Sequence, residues 1–233
     1  MISKDKAFQL IQTSSRYEHA IVVATFMYHL AELLGENPLM WELVGLLHDL
    51  DYDQVQHDMT SHGLVASETL KDKLPAEARY AIQCHDHRTG IKPHNSLDKA
   101  LIIADTLGNV MNDMSEPLTQ DRLTAIIEHH AIDKPWLLRN IQLSDEIGIP
   151  HQQLVRLIVE VHNKMKHWVR VCPHCFSPRI APYTQGVWTW STHRFQCRDC
   201  LYHGSNFVEL RLDELERITG PETMEPSANL EGV

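Results

Sequence analysis

The sequence contains no long hydrophobic run, and no stretch approaches the ~20 apolar residues that a membrane-spanning helix needs. Its first residues, MISKDKAFQL, lack the basic and then apolar segments of a secretory signal peptide. We therefore expect a cytoplasmic protein without a membrane partner. The chain has 233 residues, of which 43% are hydrophobic and 22% are charged. This length is enough for one hydrophobic core and a small second module.

Basic residues are in the minority: 21 Lys and Arg stand against 31 Asp and Glu, which gives a net charge of -10. This charge argues against a general affinity of the whole surface for nucleic acid, although a local basic site stays open. A phosphorylated substrate would be repelled on average. An enzyme for such a substrate would therefore need local cations at its site.

Strand signals are scarce before residue 168, because alternation of Val, Ile and Thr is missing there. The apolar residues of this region recur with helical spacing instead. Proline, glycine and capping residues divide it into eight predicted helices, at about 15–34, 38–50, 61–74, 75–87, 96–114, 119–131, 135–147 and 150–169. Residues 1–167 are therefore predicted to form an all-α helical bundle.

Cysteine is almost absent from the helical region, where Cys84 stands alone, but four cysteines follow in two CxxC pairs. Four thiolates at this spacing suit one tetrahedral zinc ion that has no open position and is therefore structural. The predicted ligands are Cys172, Cys175, Cys197 and Cys200. The pattern resembles a zinc ribbon, so residues 168–214 are predicted to form a small β-rich ribbon. Residues 215–233 are polar and are predicted to be a disordered tail.

Residues 168–206 of the predicted ribbon carry seven aromatic residues and four arginines, against a single acidic residue, Asp199. Such a composition suits contact with single-stranded nucleic acid or with a protein. The aromatic residues equally suit a small core around the metal. The segment VWTW could also cover the helical domain or a second copy of the chain, so a homo-oligomer stays open.

Histidine is abundant: the chain has 16, and eight of them precede residue 95. The dipeptide His-Asp occurs three times, whereas this composition gives about one by chance. The doublet alone is therefore weak evidence. Its position in a helix decides whether it faces the core.

Helical spacing places several of these polar residues on inward faces, because residues three, four and seven apart share one face of a helix. His19 follows this spacing with Val23, and His85 with Ile82. The residues Asp49 and Asp105 directly follow the apolar runs LVGLLH and ALIIA. A single buried His or Asp usually finds a hydrogen-bond partner. Several imidazoles and two carboxylates from separate helices are satisfied together by a divalent cation.

In this order, the segments RYEH, LLHDLDY, SHG, AIQCHDHRTG and KALIIADTLG resemble the HD superfamily of metal-dependent phosphohydrolases over about residues 15–112. The family signature is a His, a His-Asp doublet and a distant Asp. It matches His19, His48-Asp49 and Asp105. The two-metal branch of the superfamily implies two further ligands, His62 and His85, with Asp49 as a bridge. The resemblance thus implies one or two divalent ions among Fe, Mn, Zn, Co and Ni.

One departure from the family concerns Asp51, which stands where many relatives carry the glycine of an HDIG string. The Asp51 side chain could shift the local turn or accept a hydrogen bond just outside the ligand set. The sequence does not choose between these. Asp51 and Asp53 could equally belong to a solvated loop.

The resemblance implies a phosphohydrolase that acts on a nucleotide or another small phosphate ester through metal-activated water, with Asp49 in the catalytic set. Arg16, His87 and Arg88 lie beside ligands in the sequence and could hold substrate phosphates, although an ordinary surface role stays open. Two alternatives remain. Some members of the superfamily hold a di-iron centre and oxidise substrates with O2. A non-catalytic helical domain would instead make the chain a nucleic-acid or protein adaptor that works through its ribbon.

Overall fold

The computed structural model of the chain describes residues 1–111, 117–182, 195–204 and 208–220. These residues fall into two compact units, Met1–Val161 and His162–Val233. The division lies inside a helix, slightly before the boundary predicted at 167/168. The VWTW segment and residues 221–233 lie outside the described residues.

The first unit is helical over its described residues, as the sequence predicts. Its helices are α1 Lys4–Ile11, α2 Tyr17–Leu34, α3 Pro38–Leu47, α4 Tyr52–Val55, α5 Leu64–Thr69, α6 Ala76–Cys84, α7 Ser96–Met111, α8 Gln120–Asp133, α9 Trp136–Glu146 and α10 His151–Lys166, the last of which continues into the second unit. Two 3-10 turns, Met59–Ser61 and His87–Thr89, precede or follow metal-ligand candidates. Helix α1 and the single turn α4 are additions to the eight predicted helices.

The junction of α2 and α3 explains why two ligand-bearing helices lie side by side. Gly35 adopts a left-handed conformation, with φ of 71°, and ends α2. The Asn37 side chain then caps α3 by accepting a hydrogen bond from the amide of Met40. At Gly45 an added Cβ would lie only 2.8 Å from Cα of Ala24, so the two helices touch at the backbone. This close packing brings the end of α3 next to α2.

Helix α7 is the central helix of the first unit and packs against α2, α6 and α9. Eleven of its residues are buried, among them Leu101 and Ile103. Trp41 of α3 and Phe26 of α2 are the largest side chains that are fully buried in the surrounding core. Burial of such side chains contributes about 1.5–3 kcal/mol each. The core thus fixes the helices on which the polar cluster stands.

The second unit carries short antiparallel strands, as predicted. Strand β1, Trp168–Val171, pairs with β5, Val208–Arg211. A separate sheet has the order β2, Ile180–Pro182, then β3, Phe195–Cys197, then β4, His203–Gly204.

A last helix, α11, extends from Leu212 to Thr219, so the prediction of a disordered tail from residue 215 is wrong for its first five residues. The Leu215 side chain is fully buried, and Glu216 pairs with Lys164 at 2.8 Å. The helix has only three apolar residues, Leu212, Leu215 and Ile218, and this pattern is too short to indicate a helix from sequence.

Hydropathy along the helices agrees with the expectation that no segment spans a membrane. Among the residues that the structure describes, no helix combines the length and the apolar character that a bilayer span requires.

Candidate metal centre

Six side chains from separate segments of the first unit converge on one buried point. His19 comes from α2, Asp105 from α7, and the other four lie at helix ends or in connecting turns. All of them are buried except Asp105, whose side chain is 23% exposed. The six residues are His19, His48, Asp49, His62, His85 and Asp105, which is the ligand set that the resemblance implies.

The Asp49 carboxylate occupies the middle of this cluster. Its Oδ1 lies 3.0 Å from Nε2 of His62, 3.3 Å from Nε2 of His48 and 3.7 Å from Nε2 of His85. Its Oδ2 faces the other way, 3.7 Å from Nε2 of His19. One oxygen of this carboxylate thus faces three imidazoles, and the other oxygen faces a fourth.

The Asp105 carboxylate completes the side of the cluster that contains His19. Its Oδ1 lies 2.9 Å from Nε2 of His19 and 3.5 Å from Nε2 of His48. Two overlapping trios result, in each of which the donor atoms lie within 4.8 Å of one another: His19, His48 and Asp105, and His48, Asp49 and His85. Either trio can hold a metal ion.

Hydrogen bonds to the far ring nitrogen orient three of the imidazoles. Nδ1 of His48 lies 2.7 Å from the carbonyl oxygen of Gly45, and Nδ1 of His85 lies 2.6 Å from that of Ile82. Nδ1 of His62 lies 2.8 Å from the Asp51 carboxylate. A carbonyl or carboxylate oxygen only accepts, so each Nδ1 is the donor. Each Nε2 therefore directs its lone pair into the cluster, which is the arrangement of metal-bound histidines.

These lone pairs conflict with one another unless a proton or a metal cation lies between them. Nε2 of His62 and Nε2 of His85 are only 3.2 Å apart, and both are acceptors when Nδ1 carries the proton. Nε2 of His48 is buried and has no hydrogen-bond partner within the described parts of the chain. An unsatisfied buried nitrogen costs about 1–3 kcal/mol. The donor set therefore fits one or two divalent metal ions.

Within the cluster, protons on the histidines balance the negative charge of the carboxylates. Burial disfavours the charged form of His62, but its hydrogen bonds to Asp49 and Asp51 outweigh this effect and raise its pKa to about 9. Burial alone would raise the pKa of Asp49, yet the charge of His48 and hydrogen bonds from His62 and His85 hold that pKa well below its usual range. A bound cation would take over the role of these protons.

The sequence leaves the role of Asp51 open. In the structure this residue is buried, with 2% exposure, and does not belong to a solvated loop. Its Oδ1 accepts a hydrogen bond from Nδ1 of His62, and its Oδ2 accepts hydrogen bonds from the amides of Gly63 and Ala66 at 2.8 and 2.9 Å. Asp51 therefore fixes both a ligand and the backbone that carries it. The structure thus selects the hydrogen-bonding role among those that the sequence left open, because only the tertiary turn brings these partners together.

Asp53 lies at the surface and binds a different segment. Its carboxylate accepts hydrogen bonds from the side chain of Ser14, at 3.0 Å, and from the amide of Ser15, at 2.9 Å. It thus fastens the segment that precedes α2 to α4.

Of the three predicted substrate-binding residues, Arg16 contacts the ligand set. Its Nε donates to Oδ2 of Asp49 at 2.9 Å, and its terminal nitrogen donates to Oδ1 of Asn109 at 2.7 Å. The guanidinium also lies 5.0 Å from the centre of the Tyr52 ring. Asn109 and Tyr52 were not predicted as part of the site.

The other two, His87 and Arg88, lie on the 3-10 turn that follows His85. Arg88 forms a salt bridge with Asp86 and keeps 42% of its side chain exposed. His87 is 81% exposed, and its ring faces that of Trp136 at a centroid distance of 6.5 Å. Neither side chain is bonded to a candidate ligand in the contacts between described residues.

The four cysteines of the second unit also converge. The sulfur of Cys172 lies 3.5 Å from that of Cys200, and the sulfur of Cys175 lies 3.6 Å from that of Cys197. All four sulfurs lie within 4.8 Å of one another. Zn–S bonds of about 2.3 Å in a tetrahedron place sulfurs roughly 3.8 Å apart. The spacing of this cluster is therefore that of a four-thiolate metal site.

The two cysteine pairs form matching turns. Amides inside the pairs donate to sulfur: His174 to Cys172 and Asp199 to Cys197, both at 3.4 Å. The residue after each pair, Phe176 or Leu201, has a positive φ, which is uncommon for a side chain of this size. Both turns therefore fold back tightly and point their sulfurs at a common centre.

Comparisons with known proteins agree with this geometry. The HD domain family model matches residues 16–110. A crystal structure of the HD domain of the L. monocytogenes phosphodiesterase PgpH is similar, with a TM-score of 0.51, 17% identity, and coverage of 69% of this chain and 99% of that chain. The same domain in complex with cyclic-di-AMP gives a TM-score of 0.52, 17% identity, and coverage of 70% and 99%. No curated protein sequence matches the chain. The part of the chain that matches the HD domain family model, residues 16–110, thus contains the whole His and Asp cluster.

Proposed function

We propose that the first unit is a metal-dependent phosphohydrolase that cleaves a phosphate ester or anhydride bond in a nucleotide or another small phosphate ester. The observation that carries this proposal is the position of Asp49. One of its oxygens faces His48, His62 and His85, and the other faces His19. A carboxylate in this position suits a bridge between two metal ions.

The proposed ligands would divide into two groups that share Asp49. His19, His48 and Asp105 would hold one ion, and His62 and His85 would hold a second. Such ions, when bound, supply Lewis acidity: they lower the pKa of water and neutralise charge that develops on phosphoryl oxygens. This positive charge would also offset the repulsion between the substrate and a chain with a net charge of -10.

The protein side chains around the ligands would orient the site and the substrate. Arg16 holds Oδ2 of Asp49 in place and brings a guanidinium, 21% exposed, to the edge of the cluster. Asn109 in turn holds the Arg16 side chain. Arg88, with its exposed guanidinium, is proposed to bind a substrate phosphate, and His87 is proposed to contact the substrate from the same turn.

The similar solved structures support a phosphate-containing substrate. The L. monocytogenes domain belongs to a phosphodiesterase and has been solved in complex with cyclic-di-AMP. At 17% identity this likeness concerns the fold, so the bond that is cleaved in the present case has to be found by assay.

The test is a screen of purified protein, loaded in turn with Fe, Mn, Zn, Co or Ni, against nucleotides, dinucleoside polyphosphates, cyclic dinucleotides and simple phosphoesters. Asp49→Ala is the site variant, and Asp53→Asn, an exposed carboxylate on the same segment, is the matched control. We expect hydrolysis by the wild type and by Asp53→Asn, with loss of at least a hundredfold in Asp49→Ala. Equal rates in wild type and Asp49→Ala would refute the proposed site.

The same preparation separates the oxygenase alternative. Two iron ions per chain together with O2 consumption, and no phosphate release from any substrate, would replace the hydrolase by a di-iron oxygenase. A chain that binds neither metal at the cluster nor any of these substrates would instead point to an adaptor role for the ribbon.

For the second unit, we propose one structural zinc ion held by the four cysteines, because four thiolates leave no position for a substrate. We also propose, from the sequence, that this ribbon contacts nucleic acid or protein and that the chain forms a homo-oligomer. Exposed cations in the described part of this unit support these proposals: Arg170, which lies 5.5 Å from the centre of the Phe195 ring and pairs with Glu209, and Arg179.

A further inference from the structure

We propose that the rings of His87 and Trp136 form a slot that takes the base of a nucleotide substrate beside the metal centre. This inference rests on the proposed hydrolase function and assigns the part of the site that would recognise the non-reacting end of the substrate. Its evidence is the separation, the relative angle and the exposure of these two rings.

The His87 ring lies on the segment that carries His85, and the Trp136 ring lies on a helix that packs against α7, which carries Asp105. His87 follows His85 by two residues, which span at most about 7 Å of backbone. Trp136 begins α9, and one turn later Asn140 of the same helix donates to the Thr106 hydroxyl at 3.0 Å. Thr106 directly follows Asp105 on α7. Residues four apart share a helix face, so this bond directs Trp136 towards the same end of α7.

The rings are separated by about the distance that one flat ring fills. Their centroids are 6.5 Å apart and their planes are inclined by 28°. Stacked bases in nucleic acid are about 3.4 Å apart, so a base between two rings needs about 6.8 Å. This centroid distance lies near the upper end of the range of aromatic pairs, about 4.5–7 Å, so the two rings face each other without close contact of their centres. A small rotation of the His87 side chain, which is 81% exposed, would make the two planes parallel.

The exposure of the rings also suits a ligand. Trp136 is 36% exposed, although a large aromatic side chain normally gains by burial. A base would cover both faces, whereas an aliphatic phosphate ester or inorganic phosphate has no flat face to place between them. Stacking accepts any base, because every base has a π-face. The slot therefore favours nucleotides over other phosphate esters without strict selection among bases.

The first test compares two substrates in the metal-loaded full-length protein: the nucleotide hydrolysed fastest in the screen, and glycerol 2-phosphate, an aliphatic ester without a flat ring. Trp136→Ala should lower the ratio of kcat/KM for the nucleotide to that for the aliphatic ester on the order of tenfold, mainly through KM. Trp136→Phe should restore most of the ratio, since it retains an aromatic face. Leu138→Ala, which shortens another exposed apolar side chain of α9, should leave the ratio unchanged.

The second test measures binding without turnover. Adenosine monophosphate should quench the tryptophan fluorescence of the wild type, and this quench should be missing in Trp136→Phe, which keeps the other four tryptophans. Inorganic phosphate should give no quench in either protein.

The outcomes separate the two proposals. Hydrolysis of phosphoesters with an unchanged ratio in Trp136→Ala, or an unchanged quench in Trp136→Phe, would overturn the slot and leave the hydrolase. Absence of hydrolysis of every ester would overturn the hydrolase. A quench that depends on Trp136 would then still support a nucleotide site at these two rings.

Discussion

The Asp51 carboxylate accepts a hydrogen bond from Nδ1 of His62 at 2.8 Å, and both groups are buried. The other oxygen of Asp51 accepts the amides of Gly63 and Ala66. One carboxylate thus sets the tautomer of a proposed ligand and the course of the chain beside it. Gly63 itself has φ of 80°, and a Cβ at this residue would meet the carbonyl of Ile82 and the ring of His85, so the turn has no room for a side chain.

Replacing Asp51 by Asn should weaken metal binding. The amide keeps one acceptor oxygen, but its NH2 group must then face either the Nδ1–H of His62 or the two backbone amides, all of which are donors. Loss of such a supporting contact costs metal affinity or activity about tenfold to a hundredfold. Elemental analysis of the purified protein and a titration with metal would measure this loss.

Asp53→Asn is the matched control, because it makes the same change two residues away at an exposed carboxylate. It should retain the wild-type metal content. Equal metal affinity in Asp51→Asn and Asp53→Asn, with both proteins folded, would contradict the role given to Asp51.

Gly108→Ala should disturb the position of His19. An added Cβ would lie 2.9 Å from Cγ2 of Val23 and 3.1 Å from Cε1 of His19, so the His19 ring or helix α7 must move. We expect a loss of about 1–3 kcal/mol in the free energy of unfolding and a lower metal content. Gly35→Ala provides a control, because left-handed backbone strain costs it about 1 kcal/mol while nothing lies near its Cβ. A normal metal content in both variants would show that His19 tolerates the change.

Replacing Cys172 and Cys175 by Ser should remove one equivalent of zinc and leave the metal of the His and Asp cluster in place. Zinc prefers thiolate here, and half of its ligands would be lost. Cys84→Ala, which removes the cysteine outside the cluster, should keep the zinc. Elemental analysis together with limited proteolysis of the second unit measures both effects. Simultaneous loss of both metals in the double variant would mean that the two units depend on each other for folding.

His162 should make the protein less stable in acid. The side chain is 3% exposed and neither ring nitrogen has a hydrogen-bond partner among the described residues. Burial, assisted by the charge of Lys166, lowers the pKa of His162 to about 4. Between pH 6.5 and 4 the unfolded chain therefore binds a proton that the folded chain does not. The free energy of unfolding therefore has its full value, with respect to His162, above pH 6.5. It falls by on the order of 2 kcal/mol as the pH decreases towards 4.

Urea unfolding at pH 7 and at pH 4.5 tests this effect. His162→Leu should reduce the difference between the two pH values, because an apolar side chain needs no partner there. His151→Gln, an exposed position on the same helix, should keep the full difference. The same pH dependence in all three proteins would exclude His162 as its source.

Local patterns carried most of the correct predictions. Helical periodicity placed His19 and His85 on inward faces, and both are buried. The CxxC spacing predicted a cluster of four sulfurs, and the four sulfurs converge. A helical face and a CxxC pair each depend on residues a few positions apart, so the order of residues along the chain is sufficient to indicate them.

Contacts between distant segments could not be predicted from the sequence. The sequence left Asp51 open between a shifted turn, a hydrogen bond just outside the ligand set and a solvated loop, and only the contact with His62 selects the hydrogen bond. Arg16 is predicted to hold a substrate phosphate, and its hydrogen bond to Asp49, 33 residues away, had no signal in the sequence. Trp136 carried no signal at all, since its proximity to His87 depends on how α9 packs against α7.

The sequence by itself thus determined the helical class, the four-cysteine cluster and the residue types of the metal centre, because apolar periodicity and ligand spacing are local properties. Only the tertiary structure decided which oxygen of Asp49 faces which histidine, which carboxylate orients His62, and which ring faces His87. Those relationships are set by the packing of helices whose residues are far apart in the chain, and side-chain packing is not encoded in any single segment.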